Sequence, residues 1–141
     1  MCAARFAPDK TPAKPPALDS AATASAGLRT FFNITRAWGL NATEEQKLLG
    51  VQRSTLYAWR GGDYPARLDA DTLERLSYVF GIYSALHVLF PVPERADAWV
   101  RKPNDAPLFG GASALARMLG GHVADLFQVR QYLDAVRGGV S

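Results

Sequence analysis

The sequence predicts an all-α protein, a helix-turn-helix bundle followed by a small helical unit. Apolar residues recur at three- and four-residue steps, and no segment shows the alternation that is typical of a strand. Glycine and proline divide the chain into lengths that suit short helices. A chain of 141 residues fits one domain, or two very small domains that share a core. We therefore expect about seven helices in one body.

Residues 1–26 are predicted to be a disordered arm. They hold nine alanines and four prolines and almost no large apolar side chain. Proline lacks the amide donor that a helix needs, and it restricts the residue before it. Such a segment cannot bury enough apolar surface to order itself.

Residues 27–91 are predicted to form the helix-turn-helix domain. A first helix runs from Leu28 to a stop at Gly39, and a second helix begins at Thr43, which with Gln46 matches a capping box. Gly50 ends this second helix. A third helix is predicted over about 52–60, stopped by the glycine pair at 61–62.

A long central helix is predicted next, and it leads into a second unit, residues 92–141. Asp69 or Asp71 caps the long helix, and its wide apolar face marks the centre of a bundle. The second unit is predicted to hold a short helix ended by Pro103, a helix capped by Ser113 and a closing helix. The closing helix carries a narrow apolar seam at Leu126, Val129, Leu133 and Val136.

Composition excludes several classes of protein. A single cysteine, Cys2, excludes an internal disulfide framework and a cysteine-rich zinc site, and this fits a reducing cytoplasm. No apolar run approaches the roughly 20 residues that a membrane span needs, and no secretory signal is recognisable. His87 and His122 have no cysteine or carboxylate at ligand spacing, and "MLGGH" lacks the Lys-Ser/Thr pair of a phosphate loop. We expect no catalysis, no metal, no cofactor and no membrane contact.

The stretch "LLGVQRSTLYAWRGG" has the spacing of a helix-turn-helix. Its inner positions are Leu49, Val51, Leu56 and Trp59. The predicted DNA-binding residues on its free face are Gln52, Arg53, Ser54, Thr55, Tyr57 and Arg60. Arginine can bind guanine in the major groove, and the polar residues can reach phosphates or base edges.

Two observations leave a plain helical hairpin with solvated arginines as the alternative. Gln46 stands where such motifs usually place alanine, and Gln52 stands where serine or threonine usually caps the second helix. The net charge of only +3 is also weak evidence for nucleic-acid binding. Its distribution is more informative, because residues 28–68 carry six basic side chains and three acidic ones.

The C-terminal "PLFGGASALARMLGGHVADLFQVRQYLDAVRGG" resembles the toxin-binding domain of the Xre/MbcA/ParS antitoxin family. That family's pattern is a tryptophan and proline approach, a Gly-Gly-x-Ser/Thr-x-Leu helix, a glycine break and a closing helix with Arg-x-Tyr-Leu-Asp. The matching residues are Trp99, Pro107, Leu108, Phe109, Gly110, Gly111, Leu115, Gly120, Val123, Leu126, Arg130, Tyr132, Leu133 and Asp134. Residues 28–90 resemble the Xre-like helix-turn-helix that forms the family's usual N-terminal half.

The resemblance implies a type II antitoxin paired with a RES-domain toxin, an enzyme that degrades NAD. Such an antitoxin would block the toxin's active site with its C-terminal region and repress their shared operon. We expect a homodimer within a larger toxin-antitoxin complex, because one short helix reads too few base pairs for useful specificity. The residues that we predict to bind the toxin are Arg117, Arg130, Tyr132, Asp134, Arg137, Gly138, Gly139, Val140 and Ser141.

Other interpretations stay open at this stage. Arg130 and Asp134 are four residues apart and could pair with one another, and the apolar seam could belong to the protein's own core. The chain could also be a stand-alone helix-turn-helix repressor or adaptor without a toxin partner. A third possibility is an antitoxin that has lost DNA binding.

Overall fold

A computed structural model describes residues 21–138 and shows an all-helical architecture, which confirms the predicted fold class. The described residues form seven α-helices and one 3-10 turn, and they contain no strand beyond an isolated bridge between Pro103 and Ser113. The helices are α1 (Ala21–Ala37), α2 (Ala42–Leu49), α3 (Arg53–Arg60), α4 (Ala70–Leu89), α5 (Pro93–Ala98), α6 (Ala114–Met118) and α7 (Val123–Arg137), with the 3-10 turn at Trp99–Arg101. None of these helices is long and apolar enough to cross a membrane.

The first helix begins earlier than the sequence predicted. Residues 21–26, which we assigned to a disordered arm, form the opening turns of α1, and Ala24 is fully buried. Alanine has the highest helix propensity of any residue, so an alanine-rich segment extends a helix once one side of it can be buried. The rest of the predicted arm, residues 1–20, lies outside the described residues.

The second helix is capped two residues before the predicted position. Asn41, not Thr43, is the N-cap: its side chain accepts a hydrogen bond from the Glu44 amide at 2.8 Å. The Glu44 carboxylate accepts one from the Asn41 amide at 2.9 Å, which completes the capping box. The prediction chose Thr43 with Gln46 and missed the pair at the same spacing two residues upstream, although asparagine is the stronger cap.

The long helix α4 is the centre of the bundle. Asp69 is its N-cap, accepting a hydrogen bond from the Thr72 amide at 2.8 Å, so Asp71 is excluded as the cap. The hydrogen bonds from the Thr72 backbone and side chain lower the pKa of Asp69, against a weaker opposing effect of burial. Leu76, Val79 and Ile82 are buried on α4, which contacts α1, α2, α5 and α7.

The C-terminal helices pack on α4 mainly through α7. Ser113 caps α6 as predicted, accepting a hydrogen bond from the Ala116 amide at 3.0 Å. Leu126, Val129 and Leu133 of the predicted seam are buried, whereas Val136 is 48% exposed. Three of the four seam residues therefore belong to the protein's own core.

Two arginines join the C-terminal helices to the helix-turn-helix region. Arg101 donates hydrogen bonds to the carbonyls of Trp38 (2.9 Å) and Gly39 (2.7 Å), just beyond the end of α1. Arg75, which is largely buried, donates to the Gly121 carbonyl at 3.1 Å. The same Arg75 guanidinium lies 3.4 Å from the Leu48 carbonyl in the last turn of α2. The Trp38, Gly39 and Leu48 carbonyls lie at or just beyond helix ends, where backbone acceptors lack an intrahelical partner.

Candidate DNA-binding and partner-binding surfaces

The residues predicted to read DNA lie on and just before α3, which we call the recognition helix. Leu56 is fully buried, and Trp59 is half-buried and packs against the core. Val51 is also half-buried, and Leu49 is buried, so all four predicted inner positions face the protein. The opposite face is open to solvent, as a DNA-reading helix requires.

The first turn of the recognition helix and the residue before it present polar side chains to solvent. Gln52, Arg53 and Ser54 are exposed, and Thr55 is half-buried. Gln52 is the N-cap but makes no capping hydrogen bond with its side chain. Gln52 departs from the usual serine or threonine cap of the motif. Its side-chain amide does not cap α3 and is therefore not engaged by the helix itself.

One turn further on, Tyr57 lies beside Arg53. The guanidinium carbon of Arg53 is 5.5 Å from the centre of the Tyr57 ring, and Tyr57 is 47% exposed. A cation over an aromatic face at this distance is attracted by the electrons of the ring. The contact holds the arginine against its own helix while leaving its donors available to a ligand.

Arg60 differs from Arg53, because it is engaged by a buried carboxylate. Its Nε lies 2.8 Å from Oε1 of Glu45, whose side chain is only 4% exposed. The two atoms form an ion pair, although their alignment falls outside hydrogen-bond geometry. Thr35 of α1 donates a hydrogen bond to the other carboxylate oxygen at 2.5 Å. Glu45 was not among the site residues predicted from the sequence.

Arg130 and Arg117, two predicted toxin-binding arginines, are largely occupied inside the chain. Arg130 pairs with Asp134 at 3.2 Å, as the alternative interpretation allowed, and its Nη1 lies 3.4 Å from the Ser77 carbonyl. A Cβ on Gly81 would lie within about 2 Å of this guanidinium, so only glycine lets Arg130 lie against α4. Arg117 contacts Gln128 and Asp125.

Tyr132 is part of an aromatic cluster. Its ring centre lies 5.2 Å from that of Phe109 and 6.4 Å from that of Trp99. These rings pack edge-to-face and stacked, which is how aromatic side chains stabilise a core. Tyr132 is half-buried there, so most of its surface serves the fold.

Part of the exposed surface of the C-terminal unit lies along α7. Phe127, Gln131, Asp134 and Gly138 are exposed at helical spacing, and Val136 and Arg137 are exposed near the end of the helix. Phe127 was not among the predicted site residues; it is 43% exposed, and its ring centre lies 5.7 Å from that of Tyr78. Its sequence signal was a large aromatic side chain one position off the apolar seam. Gly139, Val140 and Ser141 lie outside the described residues.

Two polar side chains of α4, Tyr78 and His87, have defined partners. Tyr78 donates a hydrogen bond to Glu74 at 3.0 Å, and this bond raises the pKa of the Tyr78 hydroxyl. His87 lies 2.9 Å from Asp97. Within residues 21–138, no group of three or more histidine, cysteine or acidic side chains is placed to hold a metal ion.

Comparison with known proteins gives matches for both halves of the chain. Residues 17–81 match the model of the antitoxin Xre-like helix-turn-helix domain. Residues 85–139 match the model of the antitoxin Xre/MbcA/ParS C-terminal toxin-binding domain. A similar protein from Sinorhizobium fredii (strain NBRC 101917 / NGR234), "Uncharacterized protein y4oB", is 51% identical over 127 residues, which cover 88% of this chain and 93% of the relative.

Proposed function

The chain belongs to the Xre/MbcA/ParS family of antitoxins, and on that premise we propose that it neutralises a RES-domain toxin and represses the operon that encodes both. Its helix-turn-helix domain binds DNA and its C-terminal domain binds a toxin, as the two family matches indicate. We propose residues 27–91 and 92–141 as the two functional domains, joined at the end of α4.

The choice of toxin rests on the family resemblance of the C-terminal half. RES-domain toxins degrade NAD, and the antitoxin's C-terminal region would obstruct the entrance to the active site. α7 exposes both apolar and charged side chains: Phe127 and Asp134 lie on one side of the helix, and Val136 and Arg137 are exposed near its end. Mixed surfaces of this kind, with aromatic and arginine residues, are typical of specific protein interfaces.

Co-expression with the product of the adjacent gene tests the toxin assignment. We expect the two proteins to co-elute and the NAD concentration in the cells to stay normal. Expression of the neighbour alone should deplete NAD and stop growth. A neighbour that is harmless by itself, or that does not bind this chain, would contradict the proposal and favour a stand-alone repressor.

Deletion of residues 138–141 tests whether the tail contributes to neutralisation. We expect NAD degradation by the toxin to resume while the circular dichroism spectrum stays that of the full chain, because α7 ends at Arg137. Lys47→Ala, an exposed basic residue on α2, is the control and should leave neutralisation intact. Full neutralisation by the shortened chain would remove the tail from the mechanism.

For DNA binding we propose that the first turn of the recognition helix reads the bases. Gln52, Arg53 and Ser54 are exposed there and Tyr57 is exposed one turn further on, whereas Arg60 is held by Glu45. We further propose a homodimer that places two recognition helices one turn of DNA apart. A duplex from the region upstream of the operon should bind more tightly than an unrelated duplex of equal length. Equal affinity for the two duplexes would contradict sequence-specific repression.

A further inference from the structure

The first helix, α1, has an exposed side that is basic and polar. This side carries Arg29, Thr30, Asn33 and Arg36, and we call these four residues the α1 basic face. The opposite side of the helix buries Leu28, Phe31 and Ile34, and no acidic residue occurs anywhere in α1. The two arginines are seven residues apart, which is about two helical turns, so they point the same way about 10 Å from one another.

The α1 basic face lies beside the recognition helix and the segment that follows it. Arg36 lines a groove of about 750 Å³ together with Tyr57, Arg60 and Gly61. At the other end of the face, the guanidinium carbon of Arg29 lies 5.9 Å from the centre of the Tyr64 ring, four residues beyond the end of α3. The face therefore continues the exposed surface of the recognition helix.

The two arginines of this face carry charge that the described part of the chain does not neutralise. Within residues 21–138, Arg29 takes part in no ion pair and contacts the Tyr64 ring, while Arg36 donates a hydrogen bond to the neutral Asn33 side chain at 3.3 Å. By contrast, Arg60, Arg75, Arg101, Arg117 and Arg130 all have carboxylate partners. Two uncompensated cations next to a DNA-reading helix are complementary to the phosphate backbone.

We propose that the α1 basic face binds the phosphate backbone of DNA beside the bases that the recognition helix reads. This inference rests on the DNA binding described above and adds a second contact surface, from a helix that precedes the α2–turn–α3 motif. Contacts to phosphates fix the register and orientation of a protein on the duplex but carry no sequence information. The α1 basic face would thus raise affinity for every DNA sequence, while the first turn of α3 discriminates among them.

Salt dependence distinguishes phosphate contacts from base contacts. Binding of wild type, Arg29→Ala, Arg36→Ala and the double variant should be measured from low to moderate NaCl on two duplexes, one from the upstream region and one unrelated. The slope of log affinity against log salt is negative, and each lost phosphate contact should make it less steep by about 0.9. Affinity should fall by the same factor on both duplexes, so that their ratio stays that of wild type.

Two further variants separate charge from packing. Arg29→Lys and Arg36→Lys keep the positive charge and should retain the wild-type slope. If the Tyr64 ring contact of Arg29 or the Asn33 hydrogen bond of Arg36 were the cause instead, the lysine variants would lose affinity as the alanine variants do. Arg95→Ala, an exposed arginine on α5, is the matched control and should change neither slope nor affinity. Arg53→Ala should reduce the ratio of the affinity for the upstream duplex to the affinity for the unrelated duplex.

The outcomes separate this inference from the DNA binding on which it rests. An unchanged slope for the Arg29→Ala, Arg36→Ala double variant, with wild type still binding, would overturn the phosphate contact alone. Weakened toxin binding in the same variant, with the DNA slope intact, would assign the face to the toxin instead and also overturn the inference. A wild-type chain that binds neither duplex would overturn the DNA-binding function and the inference with it.

Discussion

Arg53 and Arg60 are both arginines of α3, but their surroundings give them different roles. Arg53 lies over the exposed Tyr57 ring at the start of α3, where its donors face solvent. Arg60 stands at the end of α3, where its Nε faces the buried Glu45 carboxylate. A buried carboxylate without a cation is costly, so Arg60 is tied to the stability of the domain.

Replacing each arginine with alanine should therefore impair a different property: DNA binding for Arg53 and stability for Arg60. Arg53→Ala should weaken binding to the upstream duplex by about 1–3 kcal/mol, the usual worth of a base contact, and leave the melting temperature unchanged. Arg60→Ala should lower the free energy of unfolding by about 1–3 kcal/mol, because Glu45 would stay buried without its partner. Fluorescence anisotropy and thermal denaturation measure the two effects.

The Glu45→Gln variant supplies the control for Arg60. Once the carboxylate is neutral, removing Arg60 should cost much less stability than it does in the wild type, as a double-mutant cycle would show. If the two losses simply add, the ion pair contributes nothing. If Arg60→Ala melts like wild type but loses its preference for the upstream duplex, Arg60 reads DNA as the sequence first predicted.

At the scale of the element, the turn between α2 and α3 is set by Gly50. This residue has φ +68°, a left-handed conformation that side chains other than glycine disfavour. A Cβ at Gly50 would also lie 2.7 Å from the guanidinium carbon of Arg75. The backbone angle and the neighbouring arginine thus both require glycine at the point that orients the recognition helix.

Replacing two glycines with alanine separates these requirements. Gly62 has φ +95° but nothing within 4 Å of an added Cβ, so Gly62→Ala should cost only the backbone strain, about 1–2 kcal/mol. Gly50→Ala should cost more, because it also displaces Arg75 from the last carbonyls of α2. Urea denaturation gives both values, and equal losses would show that Arg75 moves aside freely.

At the scale of the whole molecule, the DNA-binding and toxin-binding halves share one hydrophobic core. The most extensive helix contact is between α4 and α7, which buries Leu126, Val129 and Leu133. Arg75 and Arg101 add polar bonds between the halves. The helix-turn-helix is therefore not a separate body to which a toxin-binding segment is merely attached.

We expect a chain that ends at residue 91 to be severely destabilised. Removing the three buried α7 side chains forfeits about 1.5–3 kcal/mol for each, a sum comparable with the total stability of a small domain. The truncated chain should lose cooperative thermal unfolding and binding to the upstream duplex. Arg101→Ala in the full chain is the milder companion and should lower the melting temperature while keeping a cooperative transition. A truncated chain that melts as the full chain does would show that the first half folds independently.

Most of the helical architecture was predictable because its causes are local. Periodic apolar residues, the glycine that ends α2 and the caps at Asp69 and Ser113 act within a few residues of chain. The predicted start of α1 was wrong because burial of Ala24, and not local composition, decides how far that helix extends. The predicted cap of α2 was wrong because two possible capping boxes, Asn41 with Glu44 and Thr43 with Gln46, stand two residues apart and the helix uses only the first.

The candidate sites were less predictable, because exposure and pairing depend on residues that are distant in sequence. The exposed start of α3 follows from the helix-turn-helix spacing, but the Arg60 ion pair joins α2 to α3, and the Arg130 contact reaches back to Ser77 on α4. Arg117, Arg130 and Tyr132 were predicted to bind the toxin, yet much of what they contact lies inside the chain. Phe127 and the α1 basic face emerged only when the helices were placed side by side.

By itself, the sequence determined the class of fold, the order of the helices and the resemblance of each half to an antitoxin domain. These depend on short-range periodicity, capping and turn chemistry, which are written in consecutive residues. The tertiary structure alone decided which arginines are bound to internal carboxylates and which remain available to DNA or to a toxin. That difference has a physical reason, because an ion pair is set by the distance between two charges and the water excluded around them, and folding fixes both.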